Sequence, residues 1–156
     1  MSIQTFKKMK LTFYMVWAFI LILSTAAQAS AQKNAWGMLM LTETEKQFDP
    51  TLGMEIDIPN IHPAAQQLNG QQIQLEGFII PLEGKKSQAH FMFSAFPINM
   101  CYFCGRAGPE SVIEVFMGNG TTLPFTEKKI WIEGTLRVNA RDPQSNIYTL
   151  HDAKQL

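Results

Sequence analysis

Cys101 and Cys104, the only two cysteines of the chain, are the residues whose type and spacing could do chemistry. They lie in Asn99–Ser111 (NMCYFCGRAGPES), a segment with two glycines and a proline. It is too glycine-rich for a helix and too long for a tight hairpin. Three chemistries compete for the pair. The first is a metal site: Cys-x-x-Cys-Gly is a common knuckle turn, and zinc would need two further ligands to complete a tetrahedron. His90, at the start of the strand leading into the segment, is the named candidate for one of them, with a loop carboxylate such as Glu110 as another. Met100 beside Cys101 would also suit copper(I). The second is a redox pair. A thioredoxin-like arrangement needs the first cysteine at a helix N-terminus, and Gly105, Gly108 and Pro109 do not let such a helix follow. A dithiol that stores or switches oxidation stays open. The third is a structural disulfide in an oxidising compartment, although so small a loop stabilises little by chain entropy. Covalent haem is excluded, because Gly105 stands where C-x-x-C-H requires histidine.

Other residues carry weaker signals. Gly105, Arg106, Gly108 and Glu110 are expected to support the loop, with Arg106 and Glu110 bracing it as an ion pair rather than recognising a partner. His62, before Pro63, reads as solvated and His151 as a structural strand histidine. Glu76 and Glu133 read as outward and solvated. No paired-carboxylate, Ser/His/Asp or phosphate-loop pattern stands out, so the reading leans away from an enzyme.

The elements that must position the cysteine segment are strands. Gln72–Leu82 alternates apolar and polar residues and changes parity at Gly77, as a bulge or sharp bend would. His90–Phe96, Ser111–Met117, Lys129–Asn139 and Asn146–His151 complete five, separated by polar turns at Glu83–Ser87, Gly118–Gly120 and Arg141–Pro143. Ile73-Gln-Leu-Glu-Gly77 is echoed by Ile130-Trp-Ile-Glu-Gly134. Two long strands, each bent at a glycine, among five suit a small curved OB-like barrel spanning residues 71–154. The cysteine segment then joins the second and third strands at one end of it, where loops on a rigid scaffold carry function. Residues 30–70 are expected to be an extended and short-helical segment that docks Trp36 on the barrel. In it, Thr42–Thr51 is polar with a turn at Asp49-Pro50, Ile56–Ile61 is extended, and Ala64–Leu68 makes one helical turn closed by Asn69-Gly70.

The rest of the chain bears on location. Lys7, Lys8 and Lys10 precede an apolar run, Leu11–Leu23, and Ala27-Gln28-Ala29 satisfies a small-x-small rule. This is the pattern of a secretory signal peptide, with cleavage expected after Ala29; the run falls short of the ~20 apolar residues of a membrane span. The 156-residue chain balances 13 basic against 13 acidic residues. Removing residues 1–29 takes three lysines and no acid, leaving 127 residues with 10 basic against 13 acidic and a charge of −3. A mildly acidic exported domain is a poor nucleic-acid binder, and no membrane insertion is expected after cleavage. The expected location is the periplasm, or outside the cell where there is no outer membrane.

Gly77-Phe-Ile-Ile-Pro-Leu-Glu83, Pro97-Ile-Asn-Met-Cys-Tyr-Phe-Cys-Gly105 and Gly108-Pro-Glu-Ser111 resemble an uncharacterised family of exported bacterial proteins, a domain of unknown function. The Trp36 cluster and Leu68-Asn-Gly70 are similar to its leading segment, so the resemblance covers about residues 35–154. It implies a β-rich, OB-like body, an envelope location, a special role for the cysteine loop, and kinship with accessory proteins of envelope transport systems, some concerned with metal supply. The leading expectation is an exported accessory protein that binds a transition metal, zinc before copper(I), through Cys101, Cys104 and His90 or a partner's ligands. The alternatives are a thiol–disulfide protein with an envelope redox partner, and a transporter-docking module whose cysteines form a staple.

Overall fold

A computed structural model describes residues 33–82, 86–140, 142 and 145–156. The leader (1–29), part of the polar turn at 83–85, and Arg141 and Pro143 lie outside the described residues. Five strands close a barrel: β3 (Gln72–Ile80), β5 (His90–Ser94), β6 (Val112–Met117), β8 (Ile130–Val138) and β9 (Tyr148–Gln155). Around the barrel the order is β3-β5-β6-β9-β8, with every neighbouring pair antiparallel except β6 and β9. This is the mainly-β, OB-like architecture that the strand pattern implies. Among the described residues, helical backbone after residue 70 is confined to short 3-10 turns.

The sequence echo is a structural pairing. Ile73 lies opposite Gly134, Leu75 opposite Ile132 and Gly77 opposite Ile130, so the two copies run antiparallel about their shared centre. Both glycines admit a crossing neighbour. A Cβ on Gly134 would come 2.8 Å from the His151 carbonyl oxygen, and one on Gly77 would run into the Ser94 carbonyl oxygen and the Phe93 ring. Tight curvature in a five-stranded barrel forces such approaches, and glycine is the residue that permits them. Inside, Ile73, Leu75, Phe91, Phe93, Ile113, Val115, Ile132, Leu136 and Leu150 alternate inward along their strands and form the main core.

The parity of β3 departs from expectation. Ile73, Leu75, Gly77 and Ile79 keep one inward register through the glycine, and the change comes at Ile79-Ile80, both buried. Ile80 points outward instead, where it joins Met92, Val112 and Cys101 in a second, smaller apolar cluster. Ile80 lies directly across from Met92 on β5, so an apolar patch on the outside of the barrel needs a cover.

Before the barrel, the short helix α1 (Trp36–Leu39) docks on it. Trp36 is buried, and its indole N–H donates to the Glu76 carbonyl oxygen at 3.1 Å. Tyr148 secures the same region. Its hydroxyl donates to the Leu39 carbonyl oxygen at 2.9 Å and stands 2.7 Å from Thr42 Oγ1. The polar stretch after Thr42 is not a loop. Glu43–Asp49 (β1) pairs along its whole length with Met54–Asn60 (β2) in a hairpin separate from the barrel. Its charged, unburied β1 lacks the apolar alternation that marks a strand resting on a core. His62 then caps the short helix α2 (Pro63–Gln67), its Nδ1 accepting from the Ala64 N–H at 3.2 Å.

Candidate functional site

Residues 95–111 connect β5 to β6 and fold back over the outward apolar patch. The Ala95 N–H donates to the Ser111 carbonyl oxygen at 3.0 Å, closing the base of the loop. Inside it, three 3-10 turns follow one another, at Ile98–Met100, Tyr102–Cys104 and Pro109–Ser111. Gly105 ends the second turn in the left-handed region at φ 67°, where a side chain would be strained. At Gly108 the Glu110 carboxylate folds into the space a Cβ would take, so a side chain there would turn Glu110 away. Ser111 fastens the last turn by donating from its hydroxyl to the Gly108 carbonyl oxygen at 2.6 Å.

The first 3-10 turn sets the cysteine chemistry. Its opening residue, Ile98, presents a carbonyl oxygen that accepts from Cys101 Sγ at 3.1 Å and from Cys104 Sγ at 2.9 Å. Because both sulfurs share that oxygen, they can be no farther apart than the sum of these distances. The turn between them is held by the Cys104 N–H donating to the Cys101 carbonyl oxygen at 3.1 Å and by the Gly105 N–H reaching Tyr102 at 2.8 Å. Their surroundings differ sharply. Cys101 is fully buried against Ile80, Met92 and Val112, and Cys104 is exposed. Each fully buried aliphatic side chain of that kind contributes on the order of 1.5–3 kcal/mol, so Cys101 belongs to what fastens the loop to the barrel. Both cysteines are thiols in this structure.

His90 does not join them. It opens β5, opposite Phe116 and two residues before Met92, which shares the small outer cluster with Cys101. There its Nε2 lies 2.6 Å from Glu114 Oε1, and its ring stacks on Phe116, with centroids 4.5 Å apart. Phe116 in turn stacks on His151 at 5.1 Å, and His151 Nε2 is 3.0 Å from Thr149 Oγ1. The histidine is thus engaged with Glu114 and Phe116, and the expected gathering of His90 with Cys101 and Cys104 as ligands is not seen. Among the described residues, no three His, Cys, Asp or Glu side chains gather as a metal-ligand group. The expected Arg106–Glu110 brace is corrected too. It is not among the ion pairs of the described residues. Arg106 supports the turn through its backbone, its N–H lying 3.4 Å from the Cys101 carbonyl oxygen.

Glu133, expected to be solvated, is buried on the barrel wall. Its carboxylate accepts from Gln74 Nε2 at 2.8 Å and pairs with Lys154 Nζ at 2.9 Å. These two bonds hold its carboxyl below the ordinary carboxylate range, against the opposing effect of burial. The matching Glu76 stays half-exposed, 3.5 Å from Lys129.

Two features were hidden from the sequence. One is the Ile98 carbonyl as common acceptor, since any residue offers a carbonyl. The other is a hollow of about 410 Å³ that shares Ile98 with the cysteine turn, lined by Phe78, Pro97, Ile98, Asn99, Phe125 and Glu127 among others. Only the exposed apolar run of Ile98, Met100 and Phe103 around the cysteines could have hinted at it.

No curated protein matches the chain. A solved structure of a DUF3299 family protein from Pseudomonas aeruginosa PAO1 is similar to it at 19% identity, over 60% of this chain and 66% of that one, with a TM-score of 0.43. The matched part thus spans just under two thirds of that protein. The family described as "Protein of unknown function (DUF3299)" matches residues 21–154, most of the length, and the chain belongs to that family.

Proposed function

We propose that this protein is an exported thiol–disulfide protein, working in the periplasm or outside the cell, whose Cys101–Cys104 pair cycles between dithiol and disulfide. The carrying observation is the convergence of both sulfurs on the Ile98 carbonyl oxygen, one sulfur buried and one exposed. Two thiols on one C-x-x-C turn that donate to a common acceptor lie no farther apart than the sum of those two distances, and side-chain rotation must close them to an S–S bond of about 2.0 Å. The unequal exposure suits a division of labour. Cys104 can meet a partner's sulfur, and Cys101 waits beneath it to resolve the mixed disulfide. Thioredoxin-like motifs set their first cysteine on a helix N-terminus; here the first cysteine is the buried one, preceded by a 3-10 turn. Export is supported by the leader pattern of Lys7–Ala29, and an oxidising compartment is where such a pair has a purpose.

Zinc or copper(I) at the same pair is the competing reading. The two thiols would be half a tetrahedral set, and His90, held by Glu114, does not gather with them. A metal held here would take its remaining ligands from a partner or a second copy, in keeping with the accessory role in envelope transport that the family resemblance implies.

The experiment is to express the full chain in a Gram-negative host, quench with acid, alkylate, and read mass and fraction together. The proposal expects a chain shortened at its N-terminus in the periplasmic fraction, with its cysteine pair partitioned between reduced and oxidised forms that shift when the host's oxidising pathway is removed. A pair that stays reduced there, or never changes, speaks against it.

A further inference from the structure

Resting on the dithiol reading, we infer that the hollow beside Ile98 is a side-chain subsite, and that the substrate of Cys104 is a polypeptide disulfide with a large apolar residue next to its cysteine. The link is a single residue with two faces. The carbonyl of Ile98 accepts from Cys104 Sγ at 2.9 Å, and its side chain, 55% exposed, lines the hollow with Phe78, Pro97 and Phe125. The inferred subsite places the side chains beside the substrate sulfur in this hollow. The volume of about 410 Å³ lies in the lower part of the ~300–1,000 Å³ range of ligand pockets.

Chemistry selects the occupant. The walls are aromatic and aliphatic, and Phe103 and Met100 extend the exposed apolar surface around the cysteines. The charged residue lining the hollow is Glu127, an anion; the Lys129 ammonium, 5.9 Å from the Phe78 ring centroid, is already paired with Glu76. A small anionic disulfide such as glutathione disulfide offers carboxylates to that anion and nothing apolar to the walls. An unfolded or extended polypeptide with Leu or Phe beside its cysteine offers the reverse. The Phe125 wall is held in place from below: its N–H donates to the Lys86 carbonyl oxygen at 3.0 Å, next to the short ladder of β4 (Ser87–Gln88) and β7 (Leu123–Pro124).

The exchange balances as follows. Cys104 thiolate attacks one sulfur of the substrate disulfide, forming Cys104–S–S–R and releasing the other substrate sulfur as a thiolate that takes a proton. Cys101 thiolate then attacks Cys104 Sγ, forming the intramolecular disulfide and releasing R–S⁻, which is protonated in turn. Two electrons pass from the dithiol to the substrate disulfide, and the two protons leave with the substrate thiols.

The test uses the signal-free chain carrying Cys101→Ser, in which Cys104 is the sole thiol and mixed disulfides accumulate. Three probes are compared by intact mass against time: the homodisulfide of a short cysteine peptide flanked by Leu and Phe, the same peptide flanked by Gly and Ser, and glutathione disulfide. The apolar peptide is expected to react at least about tenfold faster than either of the others, as modest differences in apolar fit allow. Adding Phe125→Ser, at a 43%-exposed site that spares the core, should bring its rate down towards that of the Gly/Ser peptide. Equal rates, or a preference that survives Phe125→Ser, overturn the subsite and leave the dithiol reading standing. A Cys104 inert to all three probes in the folded chain, but reactive after unfolding, overturns both.

Discussion

Cys101 and Cys104 aim at the same atom, the Ile98 carbonyl oxygen, from opposite sides of the protein surface: Cys101 from within the small outer core, Cys104 from solvent. The buried cysteine is held by the patch that fastens the loop, so reactivity and loop stability meet in one residue.

That asymmetry has a direct consequence for thiol chemistry. In the native reduced protein Cys104 should be alkylated at least roughly tenfold faster than Cys101, because modification of Cys101 must wait for local opening. Peptide mapping by mass after graded exposure to an alkylating reagent reads both sites. Equal rates would mean that the loop does not cover Cys101 in solution.

The crossing glycines set a stability prediction. Gly134→Ala should destabilise the barrel by about 1–3 kcal/mol, since the new methyl meets the His151 backbone and Leu150 and the interior is already close-packed. Gly37→Ala, with open space around it in α1, should stay within about 0.5 kcal/mol of the parent. Denaturant midpoints of the two variants make the comparison.

Tyr148 predicts behaviour in alkali. Burial pushes its hydroxyl up to about 12 from 10.0, with the Thr42 hydrogen bond opposing. The unfolded chain therefore ionises first as pH rises. The stability this residue contributes is fully present below pH 10, is lost as pH climbs toward about 12, and amounts to the order of 2 kcal/mol. Tyr148→Phe should flatten that part of the stability–pH profile, at a cost near neutral pH of about 1 kcal/mol for the lost hydrogen bonds.

Glu133 predicts the acid limb. Its bonds to Gln74 and Lys154 keep the folded carboxyl below its ordinary 4.5, so its contribution is present above that value and fades as pH falls through the lower, folded one. Glu133→Gln should shrink the acid slope and lower neutral-pH stability by about 1 kcal/mol. Chemical denaturation at several acidic pH values checks it; an unchanged slope would mean that Glu133 does not contribute.

The barrel was legible because its strands alternate, and because the I-x-[IL]-E-G echo lies in two strands that pair antiparallel about Leu75 and Ile132. The hairpin was not. β1 buries none of its residues, so no alternation betrays it. The outer cluster was missed for a related reason: Ile80, Met92 and Val112 sit at positions that local parity assigns to solvent, and only the returning loop buries them. For the site, the sequence locates the cysteine pair and its loop. It cannot tell that His90 is engaged with Glu114 and Phe116, nor that one backbone carbonyl serves two sulfurs, because both follow from register and turn geometry.

The decisive measurement equilibrates the purified signal-free protein in thiol–disulfide buffers of graded potential, with thiol counting and metal analysis on the same samples. A reversible two-electron transition between dithiol and a Cys101–Cys104 disulfide is expected, lost in both Cys101→Ser and Cys104→Ser, with no stoichiometric metal needed for the fold. Stoichiometric zinc that protects both thiols across the whole range, and is lost with either cysteine, would contradict it.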